Sequence, residues 1–183
     1  MENVIDGSYT FYWNWNLVSF NSNLSKLENG VEMFHNCVKL KSFATDLPSL
    51  TNGYWMFYGC NLTSFNADMP SLVNGERMFY TCSQLNSFSS NLGSLKSGYE
   101  MFYDCKLNEE SLYNIAETIN DITDLDKEID EYWTYEVLGE TETIDDMYRG
   151  LMTVTVDSSV TETQKNNFVS AMNKKGWTVS FVV

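Results

Sequence analysis

The chain has 183 residues and a formal net charge of −14 at pH 7. A surplus of acid this large repels phosphate backbones, so nucleic acid is not an expected partner. No apolar run approaches the ~18 residues that span a bilayer, and the opening MENVIDGSYTF has neither the basic nor the apolar region of an export signal. We therefore expect neither membrane insertion nor a signal peptide in the chain as given.

A unit of 22 or 23 residues recurs along the first part of the chain. Four copies contain NGVEMFHNC, NGYWMFYGC, NGERMFYTC and SGYEMFYDC, so every cysteine occupies the same position of the unit. A fifth, worn copy opens the chain with an asparagine at that position. Because one unit cannot bury its own apolar columns, the copies are expected to stack. The column at the cysteine position is Asn14, Cys37, Cys60, Cys82 and Cys105.

Each unit predicts a short strand, a turn and a compact apolar return. In KLKSFAT, strand alternation places Leu40, Phe43 and Thr45 inside and leaves Ser42 and Ala44 outside. The glycine before each Met-Phe pair indicates a backbone position that needs either a positive φ or close approach to the next copy. Stacked copies would therefore share a continuous parallel sheet.

The spacing of the unit is similar to that of a known repeat family. The pattern C-x-x-L-x-x-F, followed ten residues after the Phe by G-x-x-M-F-x-x-C, resembles the BspA-type leucine-rich repeats of bacterial surface proteins. The resemblance runs from Val4 to about Leu107, with Met where the family usually has Ala. It implies an α/β leucine-rich repeat solenoid of about five repeats over residues 1–107, the first of them truncated. It also implies an extracellular or cell-surface location.

The cysteine column is interpreted as a row of buried thiols. Successive copies would lie ~4.8 Å apart, which is near enough for disulfides, but their side chains would point into the coil in parallel. Asparagine at the same position agrees with this, because a small polar group there can meet backbone donors inside the turn. A disulfide framework remains an alternative. Zinc is not expected, since the sequence has one histidine and no C-x-x-C pair, and no cofactor is indicated.

An aromatic column follows the recurrent phenylalanine and is the candidate binding surface. Flat amphipathic rings on a rigid frame can stack on sugar faces or anchor a protein partner, or they can simply cover a hydrophobic edge. His35 lies in this column, which explains it better than a catalytic role does, so no enzyme is expected. The candidate ligand-binding residues are Tyr12, His35, Tyr58, Tyr80 and Tyr103, reinforced by Tyr54, Trp55 and Tyr99.

Residues 108–183 are expected to form an α/β capping region. Its first part, LNEESLYNIAETIND, predicts a helix with Asn108 as N-cap. An acidic insertion follows, and a calcium loop there would need glycine where Ile129 stands, so a solvated insertion is favoured over a calcium site. The alternating acids of the insertion are Asp124, Asp126, Glu128 and Asp130.

The chain ends with a predicted strand, helix and strand. LMTVTVD alternates as a strand, TETQ is a capping box, Gly176 closes the helix, and WTVSFVV forms the last strand. The KGWTV segment also resembles the endings of the same repeat family. This unit is expected to cover the C-terminal end of the solenoid. No comparable cap precedes Asn3, which predicts further repeats or a partner subunit at the N-terminal edge.

Two functions are compatible with these patterns. The favoured one is a non-enzymatic binding module of a bacterial surface protein, which takes a protein or glycan ligand in adhesion or host contact. The alternative is a structural component of a larger assembly, such as a phage particle, docked through the N-terminal edge.

Overall fold

The computed structural model describes residues 1–123 and 150–182, and the backbone of residues 133–137 and 140–144. Each repeat forms one coil, here called a rung, and four rungs contain a two-residue strand whose phenylalanine is buried and whose serine is exposed. The strands pair in parallel, β1 with β2 and β3 with β4. The predicted α/β solenoid is thereby confirmed. The strands are β1 (Ser19–Phe20), β2 (Ser42–Phe43), β3 (Ser64–Phe65) and β4 (Ser87–Phe88).

A second parallel ladder runs along the turn side of the rungs. Isolated bridges join Asp6 to Asn29 and continue through Asn52 and Asn74 to Ser97. The side chains of this ladder also form hydrogen bonds. The side-chain amide of Asn74 donates to Asn52 Oδ1 at 3.1 Å, the backbone N–H of Tyr54 donates to Asn52 Oδ1, and that of Glu76 donates to Asn74 Oδ1. Each residue of this ladder directly precedes the recurrent glycine of its rung.

The turns are joined by backbone hydrogen bonds that all run in one direction. The N–H groups of Gly30, Glu32, Phe34 and Asn36 donate to carbonyls of the next rung at 2.7–3.0 Å, and the equivalent bonds join every adjacent pair of the first five rungs. Two residues in each rung take a positive φ to make these turns. The two left-handed columns are Tyr9, Glu32, Trp55, Arg77 and Glu100, and Trp13, Asn36, Gly59, Thr81 and Asp104.

The recurrent glycines are explained by close approach. A β-carbon on Gly30 would lie 2.8 Å from Met56 Sδ, and one on Gly53 would lie 2.9 Å from Met78 Sδ. Real β-carbons do not approach heavy atoms so closely, so the absent side chain leaves room for the methionine of the next rung. Of the two explanations offered by the sequence, close approach is the correct one, and the positive φ values lie elsewhere in the turn.

Aromatic rings form the centre of the core. Phe34 and Phe57 stack in parallel with ring centroids 5.3 Å apart, and Phe43 meets Phe57 edge-on at 4.9 Å. Both arrangements are favourable for aromatic pairs. The same cluster continues without a break into the C-terminal region, where it includes Phe168 and Trp177.

The last rung leads into the capping region. Strand β5 (Gly98–Leu107) is followed by α1 (Glu109–Thr118), whose N-cap is Asn108 as predicted, with its Oδ1 accepting from the Ser111 N–H at 2.9 Å. A hairpin of β6 (Trp133–Val137) and β7 (Glu140–Ile144) then pairs antiparallel. The four alternating acids of the insertion and Ile129 lie outside the described residues.

The end of the chain continues the stack. Strand β8 (Leu151–Val156), helix α2 (Glu162–Lys174) and strand β9 (Thr178–Phe181) follow, and β8 lies between β5 and β9 in a parallel sheet. The capping box of Thr161 and Gln164 is present. A β-carbon on Gly98 would lie 3.0 Å from Met152 Cε, so Met152 occupies the place that a rung methionine takes elsewhere. Neither α1 nor α2 is long and apolar enough to cross a bilayer.

Candidate functional site

The rings that follow the core phenylalanines form one continuous stack, here called the aromatic column. Tyr12 and His35 lie 5.0 Å apart and are tilted, His35 and Tyr58 stack at 4.4 Å, Tyr58 and Tyr80 stack at 5.4 Å, and Tyr80 and Tyr103 stack at 4.5 Å. The rung spacing imposes this stacking, because each ring leaves the same position of the turn. The five predicted residues are therefore brought together.

The members of the column differ in exposure. Tyr58, Tyr80 and Tyr103 are half-buried, Tyr12 is exposed, and His35 is buried. His35 Nδ1 lies 2.8 Å from Glu32 Oε2, which is buried too. His35 is therefore a buried packing member of the column, and the ring edges that a ligand could reach belong to Tyr58, Tyr80 and Tyr103.

Arg77 lies between aromatic rings that come from the rungs on either side. Its guanidinium carbon is 5.9 Å from the Trp55 ring centroid and 5.2 Å from that of Tyr99. Its Nε donates to Glu100 Oε2 at 2.6 Å, and its Nη1 reaches the hydroxyl of the buried Tyr54 at 3.5 Å. Trp55, Arg77, Tyr99 and Glu100 are half-buried. We call Trp55, Arg77, Tyr99 and Glu100 the arginine cluster.

A buried carboxyl lies beside this cluster. Glu76 accepts a hydrogen bond from the Ser97 hydroxyl at 2.7 Å and is 3% exposed. Burial raises the pKa of Glu76 above its ordinary value, and the Ser97 hydrogen bond and Arg77 oppose this only in part. No sequence pattern singles out Glu76, because its burial depends on the fold of the turn.

The four cysteines are buried and unpaired. Each thiol donates to the carbonyl of the core phenylalanine one rung earlier: Cys37 to Phe11 at 3.2 Å and Cys60 to Phe34 at 3.1 Å, with Cys82 and Cys105 alike. The partner is thus a backbone acceptor, whereas the sequence interpretation expected backbone donors. Burial raises the pKa of Cys37 to about 11 and that of Cys82 to about 12, so the thiols stay protonated at neutral pH.

Asn14, which shares the cysteine position, is exposed. Among the residues that the structure describes, no cluster of three or more His, Cys, Asp or Glu side chains is arranged to hold a metal ion.

Sequence reasoning missed a second aromatic surface on the first rung. Trp13 and Trp15 are 48% and 56% exposed, and their ring centroids lie 5.8 Å apart. The signal was present in FYWNWN, where two tryptophans stand in the worn copy at positions that are not aromatic in the other copies.

Comparison with known proteins identifies the repeats. A family model for the BspA type leucine rich repeat region matches residues 5–124 in six copies. The match thus includes one copy more than the five aligned above and extends through α1. No curated protein and no solved structure matches the chain.

The family restricts the kind of function that these surfaces can have. Leucine-rich repeats of this family form protein-interaction modules, are typically non-enzymatic scaffolds, and are typically surface-associated in bacteria. Since the match covers most of the sequence and agrees with the observed rungs, the chain belongs to the BspA-type leucine-rich repeat family.

Proposed function

We propose that the chain is a non-enzymatic recognition module of a bacterial surface protein, which binds a protein ligand in adhesion or host contact. Its binding face would be the exposed edges of the aromatic column together with the arginine cluster. The family supports the general role of a protein-interaction module. The location at the cell surface and the choice of face are part of the proposal.

The arginine cluster is the observation that carries the proposal. Tryptophan, tyrosine and arginine are the residues that contribute most to protein interfaces, and here they are held together on a rigid frame. Arg77 is fixed by its Glu100 ion pair and by two rings, so a partner would not need to order a flexible side chain. A half-exposed guanidinium between rings can also meet a partner carboxylate.

An array of extracellular proteins and glycans probed with three variants tests this proposal. Arg77→Gln should lower affinity for a bound protein at least tenfold, because it removes a fixed cation from the cluster. A Tyr58/Tyr80/Tyr103→Ala variant should lose the same binding. A variant neutralised at the four alternating acids of the insertion should bind as wild type does, and far-ultraviolet circular dichroism checks the fold of each.

Loss of binding only in the neutralised variant would move the site to the acidic insertion. Equal binding by all three variants would show that the site lies outside the arginine cluster, the aromatic column and the acidic insertion.

A second candidate function is a structural role in a larger assembly, and the N-terminal edge favours it. The carbonyls of Asp6, Ser8, Thr10 and Tyr12 correspond to those that accept hydrogen bonds in every later turn, and no donor in the described part of the chain bonds to them. Ile5 on the same rung is 56% exposed. Such an edge can accept further backbone donors.

Sedimentation analysis tests the assembly role. If copies associate through this edge, Ile5→Lys should abolish the association, since an inserted charge blocks edge pairing. Association that persists in Ile5→Lys would place the contact elsewhere, and a monomer at all concentrations would argue against self-assembly.

A further inference from the structure

A shallow groove of about 500 Å³ lies on the side of the first two rungs. This volume falls within the ~300–1,000 Å³ of small-molecule sites. Its walls are the tryptophan rings, inclined to each other by 52°. The groove is lined by Trp13, Trp15, Asn16, Asn36, Val38 and Lys39. We call it the tryptophan groove.

Trp13 combines a strained backbone with an exposed ring. Trp13 has a φ of +57°, a conformation that a bulky residue rarely adopts. The later rungs have Asn36, Gly59, Thr81 and Asp104 at the same position. Asparagine, glycine and aspartate suit this conformation, whereas tryptophan and the β-branched Thr81 are strained in it. The ring is nevertheless 48% exposed, so burial does not compensate for the strain.

The charge of the groove selects the kind of ligand. Lys39 is its only charged lining residue, and its Nζ donates to Asn16 Oδ1 at 3.0 Å. Within the described residues no carboxylate forms an ion pair with Lys39. An ammonium group without an acidic partner is suited to an anionic group of a ligand.

From these features we propose that the tryptophan groove binds an acidic pyranose, a sugar ring that carries a carboxylate, within a glycan. The apolar C–H face of the ring lies on an indole, because aromatic faces bind flat amphipathic groups. The carboxylate meets the Lys39 ammonium, and the side-chain amides of Asn16 and Asn36 bond to hydroxyl groups. The residues that line this site belong neither to the arginine cluster nor to the aromatic column, so the proposal goes beyond the proposed function and does not depend on it.

Titration with two tetrasaccharides tests the proposal. One alternates glucuronic acid with an N-acetylhexosamine, and the other contains N-acetylhexosamine alone. Tryptophan fluorescence and isothermal calorimetry report binding to the full chain. The acidic tetrasaccharide should bind and should shift the emission of the exposed indoles, whereas the neutral one should bind at least tenfold more weakly.

Three variants separate the contributions of the groove. Trp13→Asn installs the residue that the next rung has at this position, so it should keep the fold and lower affinity at least tenfold. Trp15→Ala should act alike, and Lys39→Gln should remove the preference for the acidic sugar. Tyr113→Ala is the matched control, because Tyr113 is an exposed ring on α1, 68% accessible, outside the groove.

Several results would overturn the proposal. They are failure of the acidic tetrasaccharide to bind, equal binding of the neutral one, or undiminished binding by Trp13→Asn and Trp15→Ala. Binding of a protein ligand that is lost in Trp13→Asn, without any sugar binding, would also overturn it, since the groove would then be a protein contact.

Discussion

At the scale of single residues, burial between stacked rungs lowers the reactivity of the cysteine thiols. Four cysteines stand in one column, yet each donates to a carbonyl of the preceding rung and is isolated from solvent. A raised pKa keeps the nucleophilic thiolate scarce. The column is thus a structural element, and its sulfur atoms fill the interior beside the phenylalanines.

Thiol labelling under native conditions should therefore be slow at neutral pH for all four cysteines. Denaturation should release four reactive equivalents without reductant, because none is paired. Mass spectrometry of native and unfolded samples after iodoacetamide treatment measures this. Fewer than four free thiols in the unfolded chain would mean that a disulfide framework is present.

The buried Glu76 should make stability depend on pH. Because its pKa is raised in the folded state above the ordinary 4.5, the folded protein binds more protons than the unfolded chain just above that value. The contribution of Glu76 to the free energy of unfolding is therefore highest below pH 4.5, and it falls as the pH rises through the raised pKa. Glu76→Gln removes this dependence and keeps an acceptor for Ser97.

Urea unfolding of wild type and Glu76→Gln between about pH 4 and pH 7 measures the effect. The variant should gain stability relative to wild type as pH rises. A difference that is constant with pH would show that Glu76 is not perturbed by folding.

At the scale of the repeat, the glycine and methionine columns should be coupled energetically. Gly53→Ala places a methyl group against the Met78 sulfur, and overpacking of this kind costs about 1–3 kcal/mol. Met78→Ala leaves a cavity and costs about 2–5 kcal/mol. In the double variant the added methyl group enters the space that the shortened side chain leaves, so the clash and the cavity offset each other.

A double-mutant cycle measured by urea unfolding tests this coupling. The double variant should lose less stability than the two single losses added together, by at least about 0.5 kcal/mol. Additive losses would mean that the glycine serves another purpose. Gly93→Ala is a suitable control, because Gly93 is exposed and lies outside the rung contacts with methionine.

The repeat was largely predictable from the sequence, and the turn was not. Adjacent strand residues face opposite sides of a sheet, so the recurrent apolar Phe43 and polar Ser42 were enough to predict which side chain is buried. Hydrophobic periodicity carries no information on the sign of φ, so the left-handed residues such as Glu32 and Arg77 could not be foreseen. The placement of Arg77 between rings of two other rungs depends on those turns, and so does the exposure of Trp13.

At the scale of the whole molecule, the cap and the rungs form one core, so they should unfold together. Trp177 is part of this link: it is 1% exposed, and its Nε1 donates to the carbonyl of Asn120 at 2.9 Å, while the Asn120 N–H donates to the carbonyl of the rung residue Leu92 at 3.1 Å. Trp177→Ala should cost about 3–5 kcal/mol. Trp177→Phe keeps most of the packing and should cost about 1 kcal/mol through the lost hydrogen bond.

Hydrogen exchange with thermal unfolding measures this linkage. In Trp177→Ala the backbone N–H groups of β5 should lose protection, and a single unfolding transition should move to lower temperature. Two separate transitions in wild type would show that cap and rungs fold independently.

The one-way hydrogen bonds of the turns give this part of the solenoid an electric polarity. Each peptide carries a dipole of about 3.5 D, and within the turns the N–H groups at the positions of Gly30, Glu32, Phe34 and Asn36 all point toward the C-terminal rung. The dipoles therefore add as they do in an α-helix but with the opposite sense, so the first rung is the negative pole. The positive pole is met by β8, whose Thr155 hydroxyl accepts from the Asp104 N–H at 2.8 Å. A cation placed against the first turn, where these carbonyls end, should be stabilised, whereas the N-terminus of an α-helix would favour an anion.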